Sequence, residues 1–188
     1  MLRLLVVSCS SGCILPYAIP PLKGEVGATT LRDDPAFHVA GGTSVASGMI
    51  DRAAPVDVGV GGFLESSEAG VLTHGAYADA AIFIDKSHHA RTAIGARGEL
   101  RYTPDGRGLG AKLRIDHEVF APTKRGYSGS DRCGFIAGAA HGMGAVGFYA
   151  EAGHVWQPND EHAWVAGAGL TVRIPATLGF IVGIPWCK

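Results

Sequence analysis

The feature that most constrains this chain is an alternation of apolar and polar residues with a period of two, which recurs from about residue 37 to residue 174. Residues 56–64 place Val56, Val58, Val60 and Leu64 on one face, and residues 76–84 follow the same pattern. Successive side chains of a β-strand point to opposite faces, so this period indicates strands. Turn residues interrupt it at intervals of roughly ten to sixteen positions, which is typical of an antiparallel all-β protein.

The segment 90–120 predicts a β-hairpin with one charged and one apolar face. Asp105-Gly106 is a two-residue turn signal, and closing the hairpin there places Glu99 opposite Lys112 and Arg97 opposite Arg114, with Asp116 diagonal to Arg97. The charged face then carries Arg91, Arg97, Glu99, Arg101, Lys112, Arg114, Asp116 and Glu118. The apolar face carries Ile94, Leu100, Tyr102, Leu109, Leu113, Ile115 and Val119. We therefore expect a network of ion pairs centred on Arg97, Glu99, Lys112, Arg114 and Asp116.

The predicted strands are long enough to cross a membrane. They comprise residues 37–45, 53–64, 74–85, the two arms of the hairpin 90–120, 133–141, 146–156 and 162–174, with 177–184 as a candidate ninth. Most have the ~9–11 residues that a tilted membrane strand needs. The sequence thus predicts an antiparallel up-and-down β-barrel of about eight strands over residues 36–188.

The N-terminus has the order of a secretory signal. Arg3 precedes the apolar run Leu4–Val7, and small residues follow up to a cysteine. Ser10-Ser11-Gly12-Cys13 resembles the lipobox of bacterial lipoproteins. The resemblance implies that residues 1–12 are a signal peptide and that Cys13 carries the lipid, a fatty acyl group such as palmitate. Cys9 is an alternative attachment site.

Residues 13–35 contain Pro16, Pro20 and Pro21 and are predicted to form an extended tether. If Cys9 leaves with the signal peptide and Cys13 carries lipid, Cys133 and Cys187 remain, and in an exported protein they are candidates for a disulfide.

Alternation does not decide whether the apolar face points outward to lipid or inward to a core. Charged residues are 18% of the chain, against ~25% in ordinary soluble domains, and glycines recur along the polar face. Together with the signal, these features favour an outer-membrane barrel, with Tyr102, Phe120, Trp156, Trp164 and Trp186 near strand ends as a candidate aromatic girdle. The alternative is an exported soluble barrel, similar to a lipocalin, that binds a small apolar ligand inside.

The resemblance to small outer-membrane barrels implies a structural or envelope-interaction role without catalysis, with membrane lipid as the partner. The net charge of −1 gives no electrostatic case for nucleic acid, and the eight histidines lack zinc-site spacing, so no metal or cofactor is expected. Protein partners and any small ligand are not identified by the sequence.

A hydrolase is a third, weaker hypothesis. Gly42-Thr43-Ser44-Val45-Ala46 resembles the nucleophile segment of subtilisin-like proteases. Ser44 precedes both candidate bases, His74 and His141, however, which is the wrong order along the chain.

Overall fold

A computed structural model describes residues 13–19, 21–31, 34–46, 55–68, 70–87, 89–121, 127–131, 134–141, 144–158 and 162–183. These residues form twelve strands: β1 (Cys13–Ile19), β2 (Leu22–Leu31), β3 (Asp34–Ala46), β4 (Val56–Ser67), β5 (Leu72–Lys86), β6 (Ala90–Thr103), β7 (Gly106–Ala121), β8 (Tyr127–Asp131), β9 (Gly134–His141), β10 (Gly144–Trp156), β11 (His162–Ile174) and β12 (Ala176–Gly183). No helix in this part of the chain is long and apolar enough to span a membrane.

Eight of the strands close into an antiparallel barrel with the order β10-β11-β2-β3-β4-β5-β6-β7. Strands β2 to β7 follow one another around the wall as a meander, β10 then pairs with β7, and β11 closes the barrel against β2. The predicted all-β, up-and-down barrel of about eight strands is therefore confirmed.

One member of the predicted set of strands is wrong. The barrel includes β2 (Leu22–Leu31), which falls in the predicted tether 13–35, so the predicted barrel boundary at residue 36 is too late. Conversely, the predicted strand 133–141 corresponds to β9, which lies outside the barrel.

Prolines are excluded from central strands, but Pro16 lies in β1, which pairs only with β12 and is an edge strand.

The strands β1, β12, β9 and β8 form a four-stranded sheet in that order. Its members adjoin β2, β11, β10 and β7 along the chain, which are consecutive in the barrel wall. The strand register also continues from the barrel into this sheet. The two residue numbers of the pair Cys13 and Gly183 have the same sum as those of the pair Leu22 and Ile174. This four-stranded extension therefore prolongs four adjacent strands beyond one end of the barrel.

The two ends of the barrel differ. The turns after β2, β4, β6 and β10 lie at one end and span two to five residues; we call it the short-turn end. The opposite end carries the four-stranded extension and the longer connection between Ala46 and Val56; we call it the long-loop end.

The hairpin of β6 and β7 has a register two residues away from the predicted one. Thr103 pairs with Gly106, so the turn is Pro104-Asp105, and Lys112 lies opposite Arg97 rather than Glu99. Gly106 has a φ of +138°, a conformation that side chains disfavour, and it ends the turn instead of occupying its centre. A shift of two residues leaves every side chain on its predicted face, because strand faces repeat every two residues.

Candidate functional site

The interior of the barrel is filled by charged side chains. Among the described residues, fourteen charged side chains are buried: Lys23, Glu25, Asp57, Glu65, Arg91, Arg97, Glu99, Arg101, Lys112, Arg114, Asp116, Glu118, Glu151 and Arg173. Seven are basic and seven are acidic, and Asp79, whose side chain is 13% exposed, adds one further carboxylate. The near balance of charge lets each buried ion face an opposite one, which offsets part of its desolvation cost.

Glu25 lies at the centre of the larger group of contacts. It accepts hydrogen bonds from Arg97 at 2.8 and 2.9 Å and from Arg114 at 2.9 Å, and the ammonium group of Lys23 lies 3.1 Å away. Asp79 binds Arg97 at 3.1 Å. Three cations thus converge on one carboxylate contributed by the strand that the sequence analysis assigned to the tether.

The same network continues toward the short-turn end. Lys112 Nζ lies 2.8 Å from both Glu99 and Glu151. Arg101 donates to Glu99 at 2.6 Å and also to Glu65. His38 Nδ1 lies 3.1 Å from Glu65 Oε1. We call this connected set the central network; it consists of Lys23, Glu25, His38, Glu65, Asp79, Arg97, Glu99, Arg101, Lys112, Arg114, Asp116 and Glu151.

A second set of ion pairs, the rim cluster, lies at the long-loop end and consists of Asp57, Arg91, Glu118 and Arg173. Arg173 contacts Asp57 and Glu118, each at 2.5 Å, and Arg91 contacts Glu118 at 2.7 Å. A void of about 10 Å³ is lined by residues of both sets, including Asp57, Asp79 and Arg114. That volume is about the space of one water molecule, so the side chains that line it leave little room between the two sets of charges.

Two tyrosine rings support the central arginines. The Arg97 guanidinium lies 4.1 Å from the centroid of the Tyr77 ring, and that of Arg114 lies 4.0 Å from the Tyr149 ring. Both distances are within the range of cation–π attraction. Each tyrosine also lies against glycines of nearby strands: a Cβ atom added at Gly42, two strands from Tyr77, would lie 2.5 Å from the Tyr77 hydroxyl oxygen. The inward glycines therefore make room for the rings that hold the arginines.

All five residues predicted for the charge network lie inside the barrel, although several contacts differ from the predicted ones. Glu99 and Lys112 are in contact, and Arg114 binds Asp116 through two hydrogen bonds of 2.7 and 2.8 Å. Arg97 pairs with Glu25 instead of Asp116. The sequence analysis did not assign Lys23, Glu25, Asp57, Glu65, Glu151 and Arg173 to the network, because each has a partner far away in the sequence. The sequence feature that could have identified them is the alternation within each strand, which places every one of these residues on the inward-facing side.

The outer wall has the opposite character. Every barrel strand exposes at least two large apolar side chains, and Leu113, Trp164 and Leu170 are 71%, 77% and 61% exposed. The exposed charged side chains described on these strands are Asp34, Asp85 and Arg107, each at the first position of a strand or one residue from its end. Between those positions the described wall exposes apolar side chains and no charged one, and an outward Thr92–His117 pair, joined at 2.9 Å, adds a neutral polar contact.

Aromatic and histidine rings gather on the outer wall at the short-turn end. Trp156 and Trp164 lie 4.8 and 5.3 Å, centroid to centroid, from His154. Tyr102 stacks on His74 at 5.6 Å. Phe120, predicted for the same girdle, belongs instead to the inward side of β7, where its ring lies 5.5 Å from Arg91.

Several predicted features fall outside the described residues. These are Cys9, Cys133, Cys187 and Trp186. Cys13 is the first residue of β1, and Ser44 lies in β3, but the described side chains include neither. Among the described residues, no three His, Cys, Asp or Glu side chains are arranged to hold a metal ion.

The character of the two barrel surfaces is the basis for the functional argument. The interior is a set of paired charges, and the exterior is apolar on all eight strands. Neither protein-family models nor the sequences of curated proteins give a match to this chain.

Proposed function

We propose that this chain is a bacterial outer-membrane β-barrel lipoprotein, acylated at Cys13, with a non-catalytic structural or envelope-interaction role. The observation that carries the proposal is the apolar outer wall, which is present on all eight strands and, among the described residues, holds exposed charges only at the strand ends. A surface of this kind is unfavourable in water and suited to the hydrocarbon of a bilayer.

The height of the wall supports the proposal. Leu109 and Val119 are exposed at the two ends of β7, ten residue steps apart. At ~3.4 Å per residue and a tilt of ~40°, these steps span about 26 Å along the barrel axis. The apolar band of outer-membrane barrels is ~25 Å tall.

The interior favours this proposal over the soluble, ligand-binding alternative. A lipocalin-like barrel would turn its apolar side chains inward around a ligand cavity. Here the inward positions carry the central network and the rim cluster, and the void between them is only about 10 Å³. An interior filled in this way supports a structural or anchoring role better than a channel or a carrier.

Fractionation combined with radioactive palmitate labelling tests the proposal. We expect labelled wild-type protein in the outer-membrane fraction, with a gel mobility that shifts on heating. Cys13→Ala is expected to lose the label, and Cys9→Ala is the matched control that retains it. Unlabelled protein in the aqueous periplasmic or culture fraction would contradict the proposal and favour the soluble alternative.

A further inference from the structure

The outer wall contains a groove across β3, β4 and β5. Its floor is Gly41, Gly62 and Ala76, which are directly paired across these strands, and its volume is about 670 Å³. The groove is open along the wall rather than enclosed. Because side chains are missing or small along the floor, the groove is a depression in an otherwise convex apolar surface.

A row of larger side chains borders the groove on the side of the short-turn end. Val39 pairs with Leu64, Leu64 with His74, and His74 with Tyr102. Tyr102 in turn pairs with Arg107. The row therefore changes along its length from aliphatic to aromatic and finally to cationic.

The residues of this row also differ in their distance from the short-turn end. Arg107 and Tyr102 each lie one residue from the turn of their hairpin, whereas Val39 is the sixth residue of β3. His74 and Leu64 occupy intermediate positions. The groove thus runs obliquely from near the short-turn rim to the middle of the wall.

Arg107 supplies positive charge at the shallow end of this row. Its side chain is exposed, and its guanidinium carbon lies 5.8 Å from the centroid of the Tyr102 ring. Arg107 is the exposed cation described on the barrel wall at this end. The groove is apolar toward the middle of the wall, and a cation lies beside it near the short-turn end. A molecule with an apolar chain and an anionic head group matches this order.

We propose that the groove binds one acyl chain of an anionic phospholipid, with the lipid phosphate beside Arg107. The chain would lie over Gly41, Gly62 and Ala76 against Leu64, and the His74–Tyr102 pair would lie at the level where the chain meets the headgroup. This inference rests on the proposed insertion of the barrel in a membrane and deepens it by naming a lipid class and its position.

The test measures lipid binding to the refolded full chain by native mass spectrometry. The probes are phosphatidylglycerol and phosphatidylcholine with identical acyl chains. Gly41→Leu fills the groove without a clash, since its Cβ would have only the Lys23 carbonyl oxygen, at 4.0 Å, within reach. Gly98→Leu is the matched control, because Gly98 is also exposed, has nothing within 4 Å of an added Cβ and does not line the groove.

We expect wild type to prefer phosphatidylglycerol and Gly41→Leu to weaken binding of both lipids by about tenfold. Gly98→Leu should leave binding unchanged, and Arg107→Gln should remove only the preference for phosphatidylglycerol. Equal binding of both lipids by wild type, or equal effects of the two leucine variants, would overturn the inference.

Failure of the proposed function has a separate signature. The same preparations are mixed with phosphatidylglycerol vesicles, and insertion is followed by heat-modifiable gel mobility. Wild-type protein that does not insert overturns the membrane proposal and this inference with it. Protein that inserts but shows no groove-dependent binding overturns the lipid site alone.

Discussion

Arg97 and Glu25 are joined across the barrel interior by two parallel hydrogen bonds, Nη1 to Oε2 at 2.9 Å and Nη2 to Oε1 at 2.8 Å, although 72 positions separate them in the sequence. Both side chains are fully buried. Because β2 and β6 are not neighbours in the wall, this contact spans the interior and links opposite parts of the barrel. Glu25 thus contacts three of the five Lys and Arg side chains of the central network, namely Lys23, Arg97 and Arg114.

Glu25→Ala is expected to lower the free energy of unfolding by about 3–5 kcal/mol, because it leaves Arg97 and Arg114 buried without their shared carboxylate. Urea unfolding in detergent micelles, followed by heat-modifiable mobility, measures the loss. Asp85→Ala removes an exposed carboxylate and is the control, with an expected change within about 0.5 kcal/mol. Equal effects of the two variants would contradict the central role of Glu25.

Gly27→Ala should destabilise the barrel by about 1–3 kcal/mol, because overpacking forces shifts in a filled interior. A Cβ at Gly27 would lie 2.3 Å from the Ala168 carbonyl oxygen and 2.8 Å from the Tyr149 hydroxyl oxygen. Gly24, three residues earlier on the same strand, has open space at that position, so Gly24→Ala is the matched control. We expect its unfolding midpoint in urea to stay the same or rise.

Ile115→Arg is expected to cost about 2–4 kcal/mol if the middle of β7 faces the bilayer midplane. Leu109→Arg, on the same face but beside the short-turn end, should cost only about 0–1 kcal/mol. Refolding into vesicles and equilibrium unfolding measure both. A soluble barrel would tolerate both arginines on its exposed surface, so equal and small effects would argue against membrane insertion.

Reconstitution in a planar bilayer is expected to give no stepwise ion conductance for the wild-type barrel. The buried ion pairs leave a void of only about 10 Å³ between the two sets of charges, too small for a hydrated ion. Steady steps of the size seen with water-filled porins would contradict a filled interior.

The sequence was sufficient to predict the charged and apolar faces of β6 and β7. The alternation of side chains within a strand does not depend on which residues the strand pairs with. The predicted turn was wrong by one position, since Pro104-Asp105 rather than Asp105-Gly106 occupies the two loop positions. The predicted faces are correct despite the resulting shift of two residues, whereas the predicted pairs of facing residues are wrong.

The partners of the central residues could not be predicted in the same way. Glu25 meets Arg97 and Arg114 only after eight strands have closed, and that closure depends on pairings between distant segments. β2 itself was missed because its outward residues are mostly small and the preceding prolines suggested a tether. The tyrosine–glycine contacts were likewise hidden, because they depend on which strands are neighbours.

The closing contact of the barrel joins β2 to β11, the first and last strands of the wall, with Leu22 opposite Ile174. The backbone groups along both edges therefore stay unpaired until nearly the whole chain is present. Contacts between such distant segments slow folding, because the entropy of closing the longest loop is lost before the final ladder forms. Until β11 pairs with β2, the open strand edges can pair with other chains, so this topology is exposed to aggregation for most of its folding.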